Sequence, residues 1–565
     1  MTRKLIECVP NFSEGRDMQV IKQITDEVEG VEGVRLLDVD PGAATNRTVV
    51  TFVGEPEKVM EAAFRAVRKA SEVIDMRHHH GEHPRMGATD VCPLVPIAGV
   101  TMEECVEYAR TLAKRIGEEL GIPVFCYESA AYTPERRNLA VCRSGEYEGL
   151  AKRFAEGVRP DFGPAVIDDY TARTGATAVG ARDFLVAINY NLNTTSTRRA
   201  NSIAFDVREK GRKKREGDPI TGKVVNDADG NVVWIPGTLK GCKAIGWYIE
   251  EYGIAQVSMN VTNINVTPVH VAFDEVCEKA HARGIRVTGS EIVGLIPKKV
   301  LIDAGKHYLA KQNRSCGIPE EDIVKIAVKS MGLDDLKPFN PREKVIEYIL
   351  EDSDKTPKLV DLTVRGFAEE TSRESPAPGG GSISAYMGSL GAALGAMVAN
   401  LSSHKRGWDD QCPKFSQWAE KGQELMYELL HLVDEDTAAF NRIMDAMSLP
   451  KKTDAEKEAR AAAMQEATLY ATEVPLRTMK ASFKVFELVE AMASEGNPNS
   501  VSDAGVGALA ARSAVLGAFL NVKINAAGLK DREKAGALVT EAAEIAAEAE
   551  VQEKKVLEIV NSKIN

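Results

Sequence analysis

The sequence predicts two α/β sandwich subdomains followed by an all-helical bundle. Patterns typical of strands and helices alternate along the first 350 residues. The polar, proline-containing segment 351–358 separates this part from the rest. Beyond Pro378 only four prolines remain, in stretches rich in Ala, Leu, Glu and Lys at helical spacing. We therefore predict subdomains at residues 1–183 and 184–350, a linker at 351–358 and a helical domain at 359–565.

In the first α/β block, short apolar strand patterns alternate with amphipathic helical stretches. Two of the strands follow each other through a short connection, which favours a sheet with helices on one of its faces. The predicted strands are Leu5–Val9, Val34–Val39, Arg47–Val53, Leu94–Val100 and Pro123–Tyr127, and the predicted helices are Met18–Val28, Glu57–Ile74 and Met102–Leu120.

A second α/β block contains an inserted hairpin. Within Asp218–Gly237, two strand-like runs flank the turn sequence Asp227-Ala228-Asp229-Gly230. The glycine comes too early for a calcium-binding loop, so the sequence favours a turn. The predicted strands of the block are Phe184–Leu192, Ala255–Val261 and Ile285–Val287, its predicted helices are Ser196–Val207 and Val269–Ala280, and its hairpin strands are Thr221–Val225 and Asn231–Ile235.

The overall charge of the chain argues against nucleic acid as a partner. The formal net charge is -12, whereas a phosphate backbone requires a basic surface. One local exception is the basic run Arg208–Arg215. This run is typical of a solvated helix end, and the other interpretation is that it attracts an anionic substrate tail.

Cysteine usage and the N-terminal sequence favour a cytoplasmic protein. The nine cysteines are scattered and form no CxxC pair, which is typical of reduced thiols. The N-terminus has no apolar signal core, and no window reaches about 18 uninterrupted apolar residues. We expect neither export nor a membrane span.

Four of the nine histidines lie in the loop Arg77-His78-His79-His80-Gly81-Glu82-His83-Pro84-Arg85-Met86-Gly87. His80 and His83, with Glu82 between them, could bind zinc, but a Gly/Pro loop lacks the helical geometry of HExxH sites. A solvated cluster without function is a second interpretation. We favour a third, in which one histidine is a general base near neutral pH. The composition of the loop does not choose which one.

The helical part carries a glycine-rich turn and an unusual aspartate. Ser375-Pro376-Ala377-Pro378-Gly379-Gly380-Gly381-Ser382 runs into a helix whose N-H groups could face an anion, or it is a tight turn with Ser382 as N-cap. On the predicted helix Gln423–Met447, Asp436 falls within the apolar stripe. A buried aspartate is either paired with a cation or is a functional acid. The residues alone do not decide whether the glycine-rich turn faces an anion or only caps the helix. They also do not decide whether Asp436 is a structural partner or a functional acid.

The first 350 residues resemble the formiminotransferase family. The resemblance implies that His83 is the catalytic base, that Asp40 lines the site, and that a folate-contacting segment maps to about Gly163–Gly175, including Pro164. That segment is longer than the animal pattern of the family, and the hairpin 218–237 is an addition to it. The strings that carry the resemblance are Cys8-Val9-Pro10-Asn11-Phe12-Ser13-Glu14-Gly15, Leu36-Leu37-Asp38-Val39-Asp40, Thr45-Asn46-Arg47-Thr48-Val49, Gly81-Glu82-His83-Pro84-Arg85-Met86-Gly87, Asp161-Phe162-Gly163-Pro164, Gly175-Ala176-Thr177, Gly246-Trp247-Tyr248 and Val293-Gly294-Leu295-Ile296-Pro297.

The implied reaction suits these residue types. The 5-nitrogen of tetrahydrofolate loses a proton as it attacks the formimino carbon of N-formiminoglutamate, and a histidine can accept that proton. Asp40 would orient the base or stabilise positive charge. Arg85 or Arg47 could hold a substrate carboxylate through bidentate pairing, and pairing with internal acids is the alternative for either arginine.

Residues 359–565 resemble the formiminotetrahydrofolate cyclodeaminase family. The resemblance implies that Asp436 is the active-site acid and that Gly379, Gly380, Gly381 and Ser382 belong to the folate site; His404, Lys405 and Asn497 are weaker candidates. The strings that carry it are Ala377-Pro378-Gly379-Gly380-Gly381-Ser382, Leu432-Val433-Asp434-Glu435-Asp436 with Ala439-Phe440, Gly496-Asn497 with Ser502-Asp503, and Asn521-Val522 with Ile524-Asn525.

Together the two resemblances imply a bifunctional folate enzyme of histidine breakdown. They also imply a ring-like homo-octamer, a polyglutamylated tetrahydrofolate co-substrate and no metal. Alternatives remain: a cyclohydrolase activity in the helical half, a formyl donor in the first half, a folate-binding scaffold without chemistry, and a metal-dependent amidohydrolase.

Overall fold

The computed structural model describes residues 4–42, 46–81, 85–218, 221–353, 357–375 and 377–564. The chain divides into two compact units. The α/β unit contains the chain up to Pro297 together with Arg342–Leu350. The helical unit contains Lys298–Pro341 and the chain from Glu351 onwards. This division into α/β and helical parts confirms the predicted fold class.

A seven-stranded mixed sheet organises the first part of the α/β unit. Its strands are β1 (Leu5–Cys8), β2 (Asn11–Phe12), β3 (Val34–Gly42), β4 (Arg47–Gly54), β5 (Thr89–Ala98), β6 (Val124–Glu128) and β7 (Thr177–Ala181). The order is β1-β4-β2-β5-β7-β6, with β3 paired to β4, and β7 runs parallel to both β5 and β6. The sequence analysis missed β7, because its small residues give a weak strand signal.

Helices cover both faces of this sheet. The predicted layer on one face consists of α1 (Met18–Glu29), α2 (Pro56–Val73) and α3 (Met102–Glu119). On the other face, Phe125 and Tyr127 pack with Leu150 and Phe154. The expectation of helices on one face only was therefore wrong for this part of the sheet. The shorter helices are α4 (Leu139–Cys142), α5 (Glu146–Ala155), which carries Leu150 and Phe154, and α6 (Asp169–Thr174).

A four-stranded antiparallel sheet forms the second part of the α/β unit, in the order β11-β12-β8-β13. These strands are β8 (Val186–Leu192), β11 (Cys242–Ile249), β12 (Ile254–Val261) and β13 (Val287–Val293), and they pack against α7 (Thr197–Val207) and α8 (Val269–His281). The strand β11 was missed. The inserted hairpin is formed by β9 (Arg212–Lys213) and β10 (Trp234–Ile235), so the prediction of its first strand at Thr221–Val225 was wrong. The predicted turn is present, because Asp227 accepts from the amides of Asp229 and Asn231.

Close-packed helices build the helical unit around α14 (Gly380–Ser403). Its glycines permit this packing: a Cβ on Gly388 would lie 2.4 Å from Ser482 Oγ, and one on Gly395 would lie 2.5 Å from Leu488 Cδ2. The remaining helices of the chain are α9 (Lys299–Lys311), α10 (Glu320–Met331), α11 (Pro341–Lys344), α12 (Ile346–Ser353), α13 (Val364–Thr371), α14 (Gly380–Ser403), α15 (Cys412–Ser448), α16 (Asp454–Glu495), α17 (Val501–Ala526) and α18 (Arg532–Ile564).

The segment Lys298–Pro341 packs with the helical unit through specific contacts. Lys306 Nζ lies 2.6 Å from Glu420, and Asn400 donates to the carbonyl oxygen of Gly317 at 2.7 Å. A Cβ on Gly317 would lie 2.3 Å from Ala419, so the backbone approaches α15 closely. The compact units therefore do not coincide with the segments predicted at 184–350 and 359–565, and those domain boundaries stay a prediction.

Two helical stretches, Gly380–Ser403 and Pro498–Ala526, are long and apolar enough to cross a membrane by composition alone. Both pack within the helical unit, where 61% and 44% of their apolar windows are buried. Packing of small residues in a helical core accounts for this composition.

Candidate functional site

Asn46 fixes the histidine-rich loop to the start of β4. Its backbone has a φ of 48°, in the left-handed region that asparagine tolerates. Its side-chain oxygen accepts from the amide of Gly15 at 3.0 Å, and its side-chain nitrogen donates to the carbonyl oxygen of His80 at 3.1 Å. Asn46 thus holds two loops of the proposed transferase site together. The sequence analysis quoted this residue within a motif but gave it no role.

His79 is held as a neutral ring. Its Nε2 lies 2.8 Å from the carbonyl oxygen of Asn46, and its Nδ1 accepts from Arg85 Nε at 3.2 Å. Because Nδ1 accepts, Nε2 carries the proton and donates. Burial lowers the pKa of His79, which agrees with a neutral imidazole. Both ring nitrogens are therefore engaged, so His79 is not available as a general base in this arrangement.

Arg85 is paired with internal acids. Its guanidinium contacts the Glu148 carboxylate at 2.9 and 2.7 Å and Glu146 at 3.3 Å, and its side chain is 8% exposed. This bidentate geometry is the internal-pairing alternative that the sequence left open. The pair anchors the loop against the first turn of α5. A role of Arg85 towards a substrate carboxylate stays a prediction.

A cavity of about 480 Å³ lies at this loop. His83, the predicted base, lies outside the described residues, as do Glu82 and Pro84. The residues on either side of that gap, Gly81 and Arg85, both line the cavity. The full lining is His80, Gly81, Arg85, Gly145, Glu146 and Glu148.

Asp40 and Arg47 lie near the ends of the neighbouring strands β3 and β4, in a register that pairs Asp40 with Val49 and Gly42 with Arg47. Arg47 is partly buried, and this burial lowers its pKa, against the nearby charges of Asp90 and Asp40. Asp40 is exposed. The fully buried Asp90 is neutralised by Arg143 at 2.5 Å. Arg47 and Asp40 are thus close enough to interact, and their catalytic roles stay predictions.

The predicted folate glycines of the α/β unit have clear packing roles. Gly163 has a φ of 81°, and a Cβ there would lie 2.2 Å from Ile122 O. Gly175 has a φ of 66° and forms a bridge with Gly87, the last residue of the histidine-rich loop. Between them, Asp168 caps α6, and Pro164 directly follows Gly163. These contacts explain the glycines without a ligand, so folate contact there stays a prediction.

Asp436 lies on α15 with its carboxylate at the N-terminus of α14. Its Oδ2 accepts from the amide of Ser382 at 2.8 Å and lies 3.1 Å from the Ser382 hydroxyl. Oδ1 has no hydrogen bond to any other described residue. Burial raises the pKa of Asp436, and the two contacts with Ser382 oppose that rise. Within the described residues no cation pairs with Asp436, which favours the functional acid over the structural alternative.

Gly381 is required by this arrangement, because a Cβ there would lie 2.1 Å from Asp436 Oδ1. At neighbouring Gly380, a Cβ would meet the side chain of Asn521 at an ordinary 3.4 Å. Ser382 also donates to the carbonyl oxygen of Val433 at 3.0 Å, so it joins α14 to α15. The alternative that Ser382 is the N-cap was wrong, because the helix already begins at Gly380. Gly379 is the N-cap residue of α14. Asn521 is a site residue to which the sequence analysis gave no role.

The two acids next to Asp436 have other partners. Asp434 accepts from the amide of Leu359 at 2.6 Å, and Glu435 lies 3.5 Å from both Arg477 and His431. Asp434 therefore fixes the start of the helical segment, and Glu435 belongs to an ion-pair cluster. Unlike Glu435, Asp436 has no cationic partner among the described residues, where its hydrogen-bonding neighbours are the amide and the hydroxyl of Ser382.

The weaker candidates of the helical unit do not reach Asp436. His404 is the C-cap residue of α14, whereas Asp436 meets its N-terminus. At 1.5 Å per residue, the 24 residues of α14 separate these ends by roughly 36 Å. Lys405 lies over the Trp408 ring, and the Asn497 amide donates to Ser402, near the same far end.

Among the residues the structure describes, no group of three or more His, Cys, Asp or Glu side chains is arranged to hold a metal ion. His83 is outside this set, so the zinc interpretation of His80 and His83 is not tested by that finding.

Comparison with known proteins finds relatives for both halves of the chain. Family models match at residues 5–182 (formiminotransferase domain, N-terminal subdomain), 187–351 (formiminotransferase domain) and 363–544 (formiminotransferase-cyclodeaminase). The chain is 43% identical to a formimidoyltransferase-cyclodeaminase of Gallus gallus, covering 94% of each chain.

Two relatives match one half each. A glutamate formimidoyltransferase of Streptococcus pyogenes is 44% identical over 54% of this chain and 93% of its own length. A methenyltetrahydrofolate cyclohydrolase of Methylorubrum extorquens is 40% identical over 36% of this chain and 98% of its own length. Because the similarity to the two-part relative extends through both units, the chain belongs to the formimidoyltransferase-cyclodeaminase family.

Proposed function

We propose that this chain is a folate-dependent bifunctional enzyme of histidine degradation. It transfers the formimino group of N-formimino-L-glutamate to tetrahydrofolate, giving glutamate and 5-formiminotetrahydrofolate. It then closes this product to 5,10-methenyltetrahydrofolate and releases ammonia. The observation that carries the proposal is the near full-length similarity to a protein named for both activities.

In the transfer step, His83 accepts the proton that the 5-nitrogen of tetrahydrofolate loses on attacking the formimino carbon. The collapse of the tetrahedral adduct expels glutamate, whose nitrogen takes the proton back from the same histidine. The engagement of both His79 nitrogens removes His79 from the candidates and leaves His78, His80 and His83. The resemblance to the family selects His83 among these three. Asp40 orients the base or stabilises its positive charge.

Arg47 is our choice for the substrate carboxylate. Arg85 is committed to Glu148 and Glu146 and fixes the loop instead. The guanidinium of Arg47 is partly desolvated, so its interaction with a carboxylate would be stronger than that of a fully hydrated arginine. The carboxylate would in turn compete with Asp40 and Asp90 for this charge.

In the ring-closing step, Asp436 is the general acid. Attack of the 10-nitrogen on the formimino carbon makes a tetrahedral carbon, and cleavage of its bond to the former imine nitrogen releases ammonia, which needs added protons. The raised pKa of Asp436 keeps a proton available closer to neutral pH, and Oδ1 is the oxygen that can deliver it. The segment Gly379–Ser382, at the N-terminus of α14, would hold the folate beside this oxygen.

We further infer a cytoplasmic homo-oligomer, with the octamer as our specific expectation, and a polyglutamylated folate. Exposed apolar side chains on two helices of the helical unit support self-association, because such clustered residues mark contact surfaces. They are Leu390, Met397 and Leu401 on α14 and Val506, Leu509, Leu520 and Ile524 on α17.

A cyclohydrolase activity of the helical unit is the second candidate, favoured by the similarity to the Methylorubrum extorquens relative. In that reaction water would add to the methenyl carbon, and Asp436 would handle the proton. Because Asp436 could serve ring closure and hydrolysis alike, only the identity of the reaction products distinguishes the two activities.

The direct test is incubation with N-formiminoglutamate and tetrahydrofolate while glutamate, ammonia and the methenyl chromophore are followed together. All three products support the bifunctional proposal. Glutamate without ammonia or chromophore would contradict the ring-closing half, and no product would contradict both. Supplying 5,10-methenyltetrahydrofolate alone tests the cyclohydrolase, since that activity would consume the chromophore.

A further inference from the structure

A strongly cationic cavity of about 550 Å³ lies in the α/β unit between α7 and the inserted hairpin. Five of its nine lining residues are arginine or lysine, and none is acidic. The lining consists of Arg198, Asn201, Ser202, Phe205, Arg208, Arg212, Lys213, Arg215 and Trp234. This composition contrasts with the net charge of -12 of the whole chain.

Two elements of regular structure bring these charges together. Arg198, Ser202 and Phe205 follow each other at four- and three-residue spacing, so one face of α7 forms a wall. The opposite wall comes from the hairpin, where Lys213 pairs directly with Trp234. The basic run Arg208–Arg215 begins at the C-cap of α7, and four of its residues line this cavity. Of the two interpretations in the sequence analysis, this placement favours the attraction of an anion.

Internal contacts leave most of this charge uncompensated. Arg208 donates to Gly211 O at 2.9 Å and Arg215 to Gly222 O at 2.6 Å. These carbonyl contacts orient the guanidinium groups but carry no negative charge. Among the described residues, only Arg212 of the five has an acidic partner. This partner is Asp206, which lies 3.0 Å from Arg212 and also pairs with Arg283.

The side chains of Arg198 and Lys213 are exposed, and neither has a hydrogen bond or an ion pair with another described residue. Five like charges around one cavity repel each other, and a bound polyanion relieves this repulsion more than a monoanion does. The cavity volume falls within the range of small-molecule sites, about 300 to 1,000 Å³.

We propose that this cavity binds a small ligand of the triphosphate class. Arginine forks match phosphate oxygens, and lysine contributes a mobile point charge, so the lining suits several adjacent phosphate groups. Phe205 and Trp234 add aromatic surface, and Trp234 is 39% exposed. Arg208 lies 4.0 Å from the Phe205 ring centroid and Lys210 lies 4.9 Å from that of Trp234, so a ligand ring would contact the part of each ring that these cations leave open. The chemistry is common to inorganic tripolyphosphate and to a nucleoside triphosphate, which differ in whether a ring is present to contact the aromatic side chains.

Calorimetric titration of the full chain with tripolyphosphate and, separately, with ATP tests the proposal. We expect binding that weakens as salt is raised. Lys213→Glu and Arg198→Glu should each weaken it about tenfold or more, because each reverses an uncompensated charge in the cavity. Tighter binding of ATP than of tripolyphosphate assigns a contact to its ring, and equal binding assigns recognition to the phosphates.

Matched controls are available one residue away. Lys214→Glu and Arg199→Glu make the same charge change at exposed positions that do not line the cavity, and each should change affinity by only about twofold. Equal weakening by cavity and control variants would overturn the site, as would absence of binding to both triphosphates. Tighter binding of a γ-linked oligoglutamate would overturn the ligand class. These measurements need no turnover, so their failure is separate from failure of the proposed enzyme function.

Discussion

The close contact between Gly381 and Asp436 gives a sharp prediction for the variant Gly381→Ala. The added Cβ would lie 2.1 Å from Asp436 Oδ1, 2.5 Å from its Cγ and 2.6 Å from its Oδ2. Atoms in contact need roughly 3.5 Å, so the carboxylate must move by about 1 Å. Both contacts with Ser382 would be stretched or lost by such a movement.

The expected effect is a loss of ring closure with transfer retained. A misplacement of about 1 Å can lower the rate about 100-fold. The assay supplies 5-formiminotetrahydrofolate and measures ammonia and the methenyl chromophore, while glutamate release from N-formiminoglutamate is measured separately. Circular dichroism and thermal unfolding verify that the variant is folded, since overpacking costs about 1 to 3 kcal/mol.

Gly380→Ala is the matched control. It makes the same chemical change one residue earlier in α14, but its Cβ would meet Asn521 at 3.4 Å, an ordinary contact. We expect its ring-closing rate to stay within about threefold of the parent. Full activity in Gly381→Ala, or equal loss in both variants, would refute the assignment of Asp436 as a positioned acid.

Three further predictions follow from the other sites. His83→Ala should abolish transfer and spare ring closure on supplied 5-formiminotetrahydrofolate, whereas Asp436→Ala should do the reverse; loss of both activities in a folded variant would contradict independent sites. Asn46→Gly keeps the left-handed backbone accessible and removes the amide contacts, so glutamate release should fall about 10-fold or more with ammonia release unchanged. Burial raises the pKa of Glu7 from 4.5 to about 7, so the α/β unit should lose about 3 kcal/mol of stability as pH rises between these values. Denaturant unfolding at pH 5 and 8 should show this loss in the parent, and a Glu7→Gln variant with the same loss would exclude Glu7 as its source.

The fold class could be predicted from the sequence because its periodicities are local. Strands such as β4 and helices such as α2 carry strong patterns of their own. Four strands were missed for physical reasons. β7 is made of small residues, β11 alternates buried and exposed positions without standing out as apolar, and β2 and β9 are only two residues long. The affiliation of Lys298–Pro341 with the helical unit depends on contacts such as Lys306 with Glu420, which no local pattern reveals.

The candidate sites could be predicted only in part. Helical spacing placed Asp436 on the core face of α15, and the structure adds that its neighbour is the glycine-rich start of α14. Roles that depend on tertiary pairing were not accessible: the partner of Arg85 is Glu148, one of 83 acidic residues, and nothing local distinguishes it. One feature of the sequence could have indicated the role of Asn46. It is an asparagine next to a hairpin strand, a position where a left-handed backbone is common.

The two candidate sites differ in how their ionisable groups are paired. This difference matches the chemistry proposed for each site. At the histidine-rich loop, Arg85 is neutralised by Glu148 and His79 is held neutral, so these paired side chains carry little net charge. Another histidine of the loop, proposed to be His83, can then accept a proton and return it. At the start of α14, Asp436 has only Ser382 as a partner among the described residues, and its pKa is raised by burial. A carboxyl group without a cation is poorly stabilised as an anion and is correspondingly ready to hold a proton. Ring closure needs such a group, because ammonia departs only after its nitrogen has been protonated. The rate of ring closure should therefore decline as pH rises through the raised pKa of Asp436, while transfer, which relies on a histidine, should not decline with it. Parallel decline of both rates with pH would contradict this division of roles.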